Sequence, residues 1–523
     1  MDYISFKNFR RFQDFPSMDL GDITLFVGGN NAGKSTIAKA IMLVTDNIKA
    51  LRVAEGPKTK GLKPYFRFDT IDPQHNLHVS DFERALHRGS ESKEIMLSAT
   101  FNGTEISFFI TSDVTNVSEQ GPTAPISKIV VKNHIEDMRF TFDFWDLNRT
   151  IAEFNIDTNA TSSTANNIEQ IKGEIEELKQ NLLTVTNPIE AASISSEIKR
   201  LESQIQNVNA LSRSDYKRIE IPFPPAEKYK NDNLLVALSK NVYDYAFAPN
   251  EVKDKRSKEY KNTEADKQYL QSKAYIIEDM FVSSLNYDWN QMELYYIPAH
   301  LASQDAIYWQ KDQSYLSSTI HDFYSSRINK GEEEYEFVNY WMKRFELGSD
   351  FTITPIKGEA YTVDIETENG PVPMADLGMG GIQIMTLLLR FASIMRMSKS
   401  PNFGPLIIIE EPELNLHPQW QSMLLDLFYD VYDRTYDYYN ATALRMIIET
   451  HSEYLVRSSQ VKVAYTPEAK GVFKVYYFPK EGLPYDMEYT DSGRFVNKFA
   501  PGFYDEAGGL NLQLIKKERG LDV

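Results

Sequence analysis

The chain has 523 residues, which is too long for one ordinary compact core and predicts two or three lobes. Its hydrophobic share of 42% and charged share of 25% are ordinary for a globular protein, and the absence of cysteine excludes disulfides and thiolate zinc sites. The net charge of -18 argues against a surface that binds nucleic acid everywhere, so any contact with DNA has to be a local patch.

The N-terminus, MDYISFKNFRRF, lacks the apolar segment of a signal peptide. No run in the sequence approaches the roughly 20 apolar residues that are needed to cross a bilayer. We therefore expect a soluble, cytoplasmic protein with no membrane partner. The first strand is predicted at residues 3–7.

The most informative motif is the phosphate-binding loop GGNNAGKST at residues 28–36. It follows a run at 22–27 that predicts a buried strand, and it precedes a predicted helix over 35–45. A strand, a glycine loop and a helix N-terminus together aim backbone N–H groups at a polyphosphate. Lys34 reaches the terminal phosphates, and the Ser35 hydroxyl can bind magnesium. We assign nucleotide binding to Gly28, Asn30, Asn31, Ala32, Gly33, Lys34, Ser35 and Thr36.

Strand and helix patterns alternate in the middle of the chain. Four strands are predicted to form an antiparallel subsheet, the first two joined by the hairpin signal Asn102-Gly103: residues 94–101, 104–111, 128–132 and 139–145. Apolar residues then recur at three- and four-residue spacing, which predicts an antiparallel coiled-coil hairpin over 166–210. A charged stretch at 226–273 predicts loops and exposed helix.

A glycine-rich segment, DLGMGGIQ at residues 376–383, follows a strand predicted at 294–298. It leads into an apolar helix predicted over 382–397. Glycines that open a helix make an anion site, which can face a nucleotide held by another subunit. A flexible turn between a strand and a helix is the alternative interpretation.

An apolar strand predicted at 406–409 ends in the acids Glu410 and Glu411. A buried strand delivers its terminal carboxylates to the sheet edge beside the phosphate loop. Glu410 fits a magnesium ligand that acts with Ser35, and Glu411 is placed to polarise an attacking water. The alternative is that both acids cap the strand and pair with surface bases. For Glu413, helix-entry chemistry and a role in the site are equally open.

A third apolar strand, predicted at 446–449, runs into His451. A histidine at a strand end can hydrogen-bond a γ-phosphate and report its presence. A lone histidine after a strand is more often structural, but its place beyond the acidic strand favours a function.

Taken in order, GGNNAGKST, DLGMGGIQ, IIIEEPELNLHP and IIETHSEYLVR resemble the ABC-type ATPases of the SMC, RecF and OLD superfamily. The resemblance covers roughly residues 1 to 110 and 290 to 523. It implies ATP and Mg²⁺ as cofactors, with catalysis by Lys34, Glu411 and His451, magnesium at Ser35 and Glu410, and a signature that acts in trans at Gly378, Gly380 and Gly381. The segment 378–381 contains no serine, unlike the usual family signature.

The opening ISFKNFRRF resembles that family's first strand and turn, in which an arginine approaches the nucleotide. We assign this role to Arg10, with Arg11 as the alternative.

More narrowly, YIPAH at 296–300, YWMKRF at 340–345 and PGFYDEA at 501–507 resemble the OLD-like ATPases of bacterial anti-phage operons. Septu, PARIS and some retron systems carry such ATPases, which usually work with a separately encoded nuclease or toxin. OLD nucleases add a Toprim domain after the ATPase, but only 72 residues follow His451. We therefore expect any nuclease to be another chain.

The expected fold is α/β, namely a P-loop ABC-type ATPase core with an antiparallel β subdomain and an inserted antiparallel coiled-coil hairpin. The expected divisions are 1–112 and 290–523 for the two parts of the core and 113–289 for the insertion. The leading hypothesis is an ATP-hydrolysing switch of an anti-phage complex, which assembles as a dimer or higher oligomer and controls an effector after a phage-derived trigger. Alternatives are an ATPase clamp on duplex DNA in repair or recombination, and a scaffold that binds ATP without turnover.

Overall fold

The computed structural model describes most of the chain, in these ranges: residues 2–50, 64–69, 79–101, 103–112, 122–135, 137–144, 147–155, 216–223, 228, 233–251, 254–278, 280–281, 293–301, 304–312, 314–399, 405–436, 444–501 and 503–519. Across these ranges no helix has the length and apolar character needed to span a membrane. The coiled-coil hairpin predicted at 166–210 lies outside the described residues.

The N-terminal half is rich in strands. In chain order its elements are β1 (Tyr3–Phe9), β2 (Phe12–Asp19), β3 (Ile23–Gly28), α1 (Lys34–Ala50), β4 (Tyr65–Arg67), α2 (Phe82–Ala85), β5 (Glu94–Phe101), β6 (Thr104–Thr111), β7 (Thr123–Asn133), β8 (Met138–Asp143), β9 (Arg149–Asn155), β10 (Tyr216–Pro222), α3 (Leu234–Phe247), α4 (Lys258–Ser272) and α5 (Ala274–Glu278).

The C-terminal half alternates strands with longer helices. In chain order its elements are β11 (Leu294–Ile297), β12 (Tyr308–Trp309), α6 (Tyr315–Ser325), α7 (Glu333–Arg344), β13 (Asp350–Ile356), β14 (Ala360–Thr367), β15 (Gly370–Pro373), α8 (Met379–Ser398), β16 (Leu406–Glu410), α9 (Pro418–Tyr436), β17 (Arg445–Thr450), α10 (Glu453–Tyr465), α11 (Ala469–Val472), β18 (Phe473–Phe478), β19 (Tyr485–Asp486) and α12 (Glu506–Glu518).

The larger sheet is antiparallel, with the order β10-β9-β8-β7-β6-β5-β1-β2 and with β4 beside β7. The predicted hairpin is confirmed, because β5 and β6 pair from Glu94 with Thr111 to Phe101 with Thr104. The prediction that the charged stretch at 226–273 forms only loops and exposed helix is wrong for its first helix. Helix α3 buries one apolar face, which includes Leu238 and Val242, in the same core as this sheet.

The second sheet has the order β11-β16-β17-β3-β18-β19 and is parallel except at β19. Alternate residues of its central strands enter two different cores. Phe26 and Ile408 join the core shared with α1 and the antiparallel sheet, whereas Leu25 and Ile409 join the core shared with α8, α9 and α10. Burial on both faces explains why these strands are continuously apolar in the sequence.

The parallel strands place their carboxyl ends at one edge, and this positions the site. Glu410 of β16 lies beside Glu449 of β17, and Thr450 lies beside Val27 of β3. A small antiparallel sheet of β12, β13, β14 and β15 accompanies this α/β unit. The whole is a mixed α/β fold that contains a large antiparallel sheet.

Candidate functional site

The phosphate loop lies between the last residue of β3, Gly28, and the first residue of α1, Lys34. A Cβ on Gly28 would lie 2.5 Å from the carbonyl oxygen of Phe478 on the neighbouring strand. Gly33 has a φ of 104°, and a Cβ there would lie 2.7 Å from the ring of Phe12. Close packing therefore requires glycine at position 28, and both the backbone conformation and close packing require it at position 33.

The loop exposes its tip and buries its base. Asn30 and Asn31 are exposed, and Asn31 adopts a left-handed φ of 61°. Ala32 and Thr36 are buried, and α1 continues with apolar residues at helical spacing that enter the core. The exposed tip and the helix N-terminus behind it form a surface suited to an anionic ligand.

Lys34 connects the phosphate loop to His451, which follows β17. Its Nζ donates hydrogen bonds to the carbonyl oxygens of Gly28 at 2.9 Å and Gly29 at 3.2 Å, and it lies 3.0 Å from Nε2 of His451. Burial lowers the pKa of Lys34, and the neighbouring carboxylates, led by Glu449, oppose that shift. An ammonium group only donates, so Nε2 of His451 is the acceptor when Lys34 is protonated.

The Ser35 hydroxyl donates a hydrogen bond of 2.8 Å to Oε2 of Glu449. Glu449 is 2% exposed, and its Oε1 has no hydrogen-bond partner among the described residues. Burial first, and the charge of Glu410 second, raise the pKa of Glu449 to about 8. The buried carboxylate is therefore partly neutral at physiological pH unless a cation compensates its charge.

Glu449 is a residue that sequence reasoning missed. The prediction placed Ser35 with Glu410, but β17 lies between β16 and β3, so the acid of β17 is nearer to the loop. The sequence carried a usable signal, because Ile447-Ile448-Glu449 repeats the pattern of an apolar strand that ends in an acid. Glu410 remains its neighbour and hydrogen-bonds with Tyr296 of β11.

Glu411 follows β16 in a left-handed conformation, with a φ of 43°. Its backbone N–H donates to the carbonyl oxygen of Glu449 at 2.8 Å, and its Oε1 lies 3.4 Å from Nε2 of His451. The neighbouring imidazole of His451 lowers the pKa of Glu411, and this effect outweighs the partial burial of the carboxylate. The residue is therefore held ionised at the edge of the site.

Oxygen donors dominate the part of the site around Ser35. Carboxylate and hydroxyl oxygens suit hard cations such as Mg²⁺, and the unpartnered Oε1 of Glu449 is a buried acceptor of this kind. Among the described residues, no group of three or more His, Cys, Asp or Glu side chains is arranged to hold a metal alone. This donor set fits Mg²⁺ that completes its coordination with phosphate and water.

The glycine segment lies at the start of α8, which begins at Met379 and not at 382, so Gly380 and Gly381 lie within its first turn. Gly378 is the exposed cap residue, and a glycine has no side chain that could cap the helix. A Cβ on Gly380 would lie 2.8 Å from the backbone oxygen of Asn415, which belongs to the turn after β16. Gly380 is therefore packed against the turn after β16, whereas Gly381 faces Leu377 and Leu347, and nothing lies within 4 Å of a Cβ on Gly378.

The two candidate arginines lie in the turn between β1 and β2. The Arg11 guanidinium donates to the carbonyl oxygens of Asn31 and Lys480 and thus contacts the phosphate loop directly. Arg10 is partly buried, which lowers its pKa, and its charge acts on Lys39 of α1. The structure places Arg11 against the loop, although the resemblance to the family's first strand and turn assigns that role first to Arg10.

The profile of the AAA ATPase domain family matches residues 1–456. The chain is also similar to the Smc head domain with an extended coiled coil bound to the C-terminal domain of ScpA from Pyrococcus furiosus, at 10% identity, 98% coverage of this chain, 99% coverage of that chain and a TM-score of 0.29. The SMC head domain from Thermotoga maritima gives 10% identity, coverages of 94% and 98%, and a TM-score of 0.31. No curated protein matches. Because the family profile spans most of this sequence, the chain belongs to the AAA ATPase domain family and is an enzyme that hydrolyses ATP.

Proposed function

We propose that this ATPase is a nucleotide-operated switch of a bacterial anti-phage complex, which works as a dimer or higher oligomer and controls a separately encoded nuclease or toxin. The observation that supports a switch is the 3.0 Å contact between Lys34 and His451. Lys34 is the cation that terminal phosphates attract, so a bound nucleotide competes with His451 for it. Nucleotide binding then changes the partners of His451, and a change of contacts at one residue can bias a larger conformational change.

In the proposed site, the loop amides and Lys34 hold the phosphates, and Arg11 holds the loop. Ser35, Glu449 and Glu410 would hold Mg²⁺, which neutralises phosphate charge when it is bound. Glu411 orients water, a role that its lowered pKa suits because a carboxylate accepts hydrogen bonds.

The proposed assembly is head to tail, with Gly378, Gly380 and Gly381 of one copy facing the nucleotide of another. Support comes from the exposed residues Gly378 and Met379 at the start of α8, where no side chain caps the first N–H groups, whereas Gly381 is buried. Backbone N–H groups and the helix dipole would act there in place of a serine hydroxyl.

We also propose that residues 1–112 and 290–523 form the ATPase core around the insertion at 113–289.

ATP turnover by the wild type, Lys34→Ala and Glu411→Gln tests the proposed site, with the exposed-residue variant Glu468→Gln as a matched control. We expect turnover to fall at least a hundredfold in the first two variants and to stay unchanged in the control. Equal rates in all four proteins would refute the catalytic assignments.

Light scattering tests the proposed assembly, because Glu411→Gln should hold ATP without consuming it. We expect a dimer or higher oligomer of this variant with ATP and Mg²⁺, and a monomer would contradict the shared site. Co-purification with the products of neighbouring genes, compared between wild type and Lys34→Ala, tests control of an effector. A partner whose retention depends on nucleotide supports the switch.

A second candidate function is a clamp on DNA, and one surface feature favours it. A groove of about 560 Å³ between α10 and residues 492–499 is lined by Arg457, Arg494 and Lys498, in a chain of net charge -18. Phosphate contacts by such side chains make affinity depend steeply on salt. Fluorescence anisotropy with duplex DNA at several salt concentrations tests this, and equal affinities of wild type and Arg494→Ala/Lys498→Ala would count against the groove.

A further inference from the structure

Glu413 is a buried acid that the proposed ATP chemistry does not use. It is 8% exposed, and its Oε1 accepts a hydrogen bond of 2.6 Å from the backbone N–H of His451. Its Oε2 has no hydrogen-bond partner among the described residues. Burial raises the pKa of this carboxyl group, and the N–H of His451 is the largest of the contacts that oppose the shift. A carboxyl group buried in this way is unfavourable unless it has a structural or functional role.

The backbone that carries Glu413 is held on two sides. The N–H of Glu411 donates to the carbonyl oxygen of Glu449 at 2.8 Å. The carbonyl oxygen of Pro412 accepts a hydrogen bond of 3.0 Å from Nε2 of Gln383, a fully buried residue of α8. The Glu413 carboxylate is therefore presented from a fixed turn.

His451 lies at a junction where the next residue, Ser452, has its own hydrogen bonds to Thr450 and Gln421, but where the N–H of His451 itself depends on Glu413. Strand β17 ends at Thr450 and α10 begins at Glu453, so the histidine lies between two regular elements. Its N–H is satisfied by the Glu413 carboxylate, while its side chain reaches Lys34 at 3.0 Å and Glu411 at 3.4 Å. Without the acceptor at 413, this N–H loses its partner and the residue can change orientation.

We propose that Glu413 is a positioning residue, which holds the backbone of His451 so that the imidazole contacts Lys34 and Glu411. This inference rests on the role proposed for His451. Glu413 acts through the acceptor oxygen, so its negative charge is dispensable. Gln keeps an acceptor at the same reach, Asp draws it back by one methylene, and Leu removes it.

Steady-state ATP kinetics test the proposal in Glu413→Gln, Glu413→Leu, Glu413→Asp, His451→Ala and the double variant Glu413→Leu/His451→Ala. We expect kcat to fall about tenfold to a hundredfold in the Leu variant and severalfold in the Asp variant, with KM nearly unchanged. The Gln variant should stay within about threefold of wild type, and the double variant should be no slower than His451→Ala alone. Glu453→Leu is the matched control. It makes the same substitution at a nearby acid whose carboxylate pairs with Arg457 and not with His451.

The outcomes distinguish the role of His451 from that of Glu413. Wild-type turnover by His451→Ala would overturn the role proposed for His451 itself. If His451→Ala is slow, the inference about Glu413 is overturned by a fully active Leu variant, by a Gln variant as slow as Leu, or by additive losses in the double variant. If the Leu variant does not fold, the Gln and Asp variants decide, since equal turnover in these two would overturn positioning by the acceptor oxygen.

Discussion

Replacing Glu449 with Gln should stabilise the nucleotide-free protein at neutral and alkaline pH, even though it removes an ionisable side chain from the proposed cation site. Glu449 is 2% exposed, and the Ser35 hydroxyl is its hydrogen-bond donor. Burial and the charge of Glu410 raise its pKa from the ordinary 4.5 to about 8. Burial of the ionised form is therefore unfavourable, and Gln avoids it.

The pKa of Glu449 gives the sign and the size of this effect. Between pH 4.5 and about 8 the folded protein keeps a proton that the unfolded chain has lost, so the free energy of unfolding falls as the pH rises through this window. Each pKa unit corresponds to about 1.4 kcal/mol, so a shift from 4.5 to about 8 makes the total loss on the order of 5 kcal/mol. Because Gln does not titrate, the stability advantage of the variant should grow up to about pH 8 and stay constant above it.

Urea unfolding of wild type and Glu449→Gln at pH 5, 6.5, 8 and 9, with a chelator and without nucleotide, measures the difference. Glu468→Gln, at an exposed position, controls for the loss of one charge. A difference between wild type and Glu449→Gln that is independent of pH would refute the reasoning. The same variant should also bind Mg²⁺ more weakly, because an amide is a poorer ligand than a carboxylate.

Two further predictions concern the surroundings of the phosphate loop and of α8. Gly380→Ala should lower stability by about 1–3 kcal/mol, because its Cβ would lie 2.8 Å from the backbone oxygen of Asn415. A Cβ at Gly378 meets nothing within 4 Å, so Gly378→Ala should fold normally. Thermal unfolding compares the two variants, and equal melting temperatures would contradict the clash. Arg11→Ala should weaken binding of a fluorescent ATP analogue about tenfold, since it releases the loop carbonyl, and Arg10→Ala should change it little. A larger loss for the Arg10 variant would return the nucleotide role to that residue.

Local sequence patterns were enough to predict much of the fold. The run before Gly28 forms the strand β3, and the phosphate loop leads into α1 as expected. The hairpin of β5 and β6 and the apolar strands that end in Glu410 and Glu449 were also predicted. Each of these depends on neighbours within a few residues, where turn chemistry and side-chain periodicity act directly.

The sequence by itself therefore determined which side chains stand at the ends of strands and in the loop. Only the tertiary structure decided which of them meet. The order of parallel strands places β17 beside β3, which gives Ser35 to Glu449, and the turn after β16 brings Glu413 to the backbone of His451. Strand order and packing between distant segments leave no local pattern, because they depend on how whole faces are buried against one another.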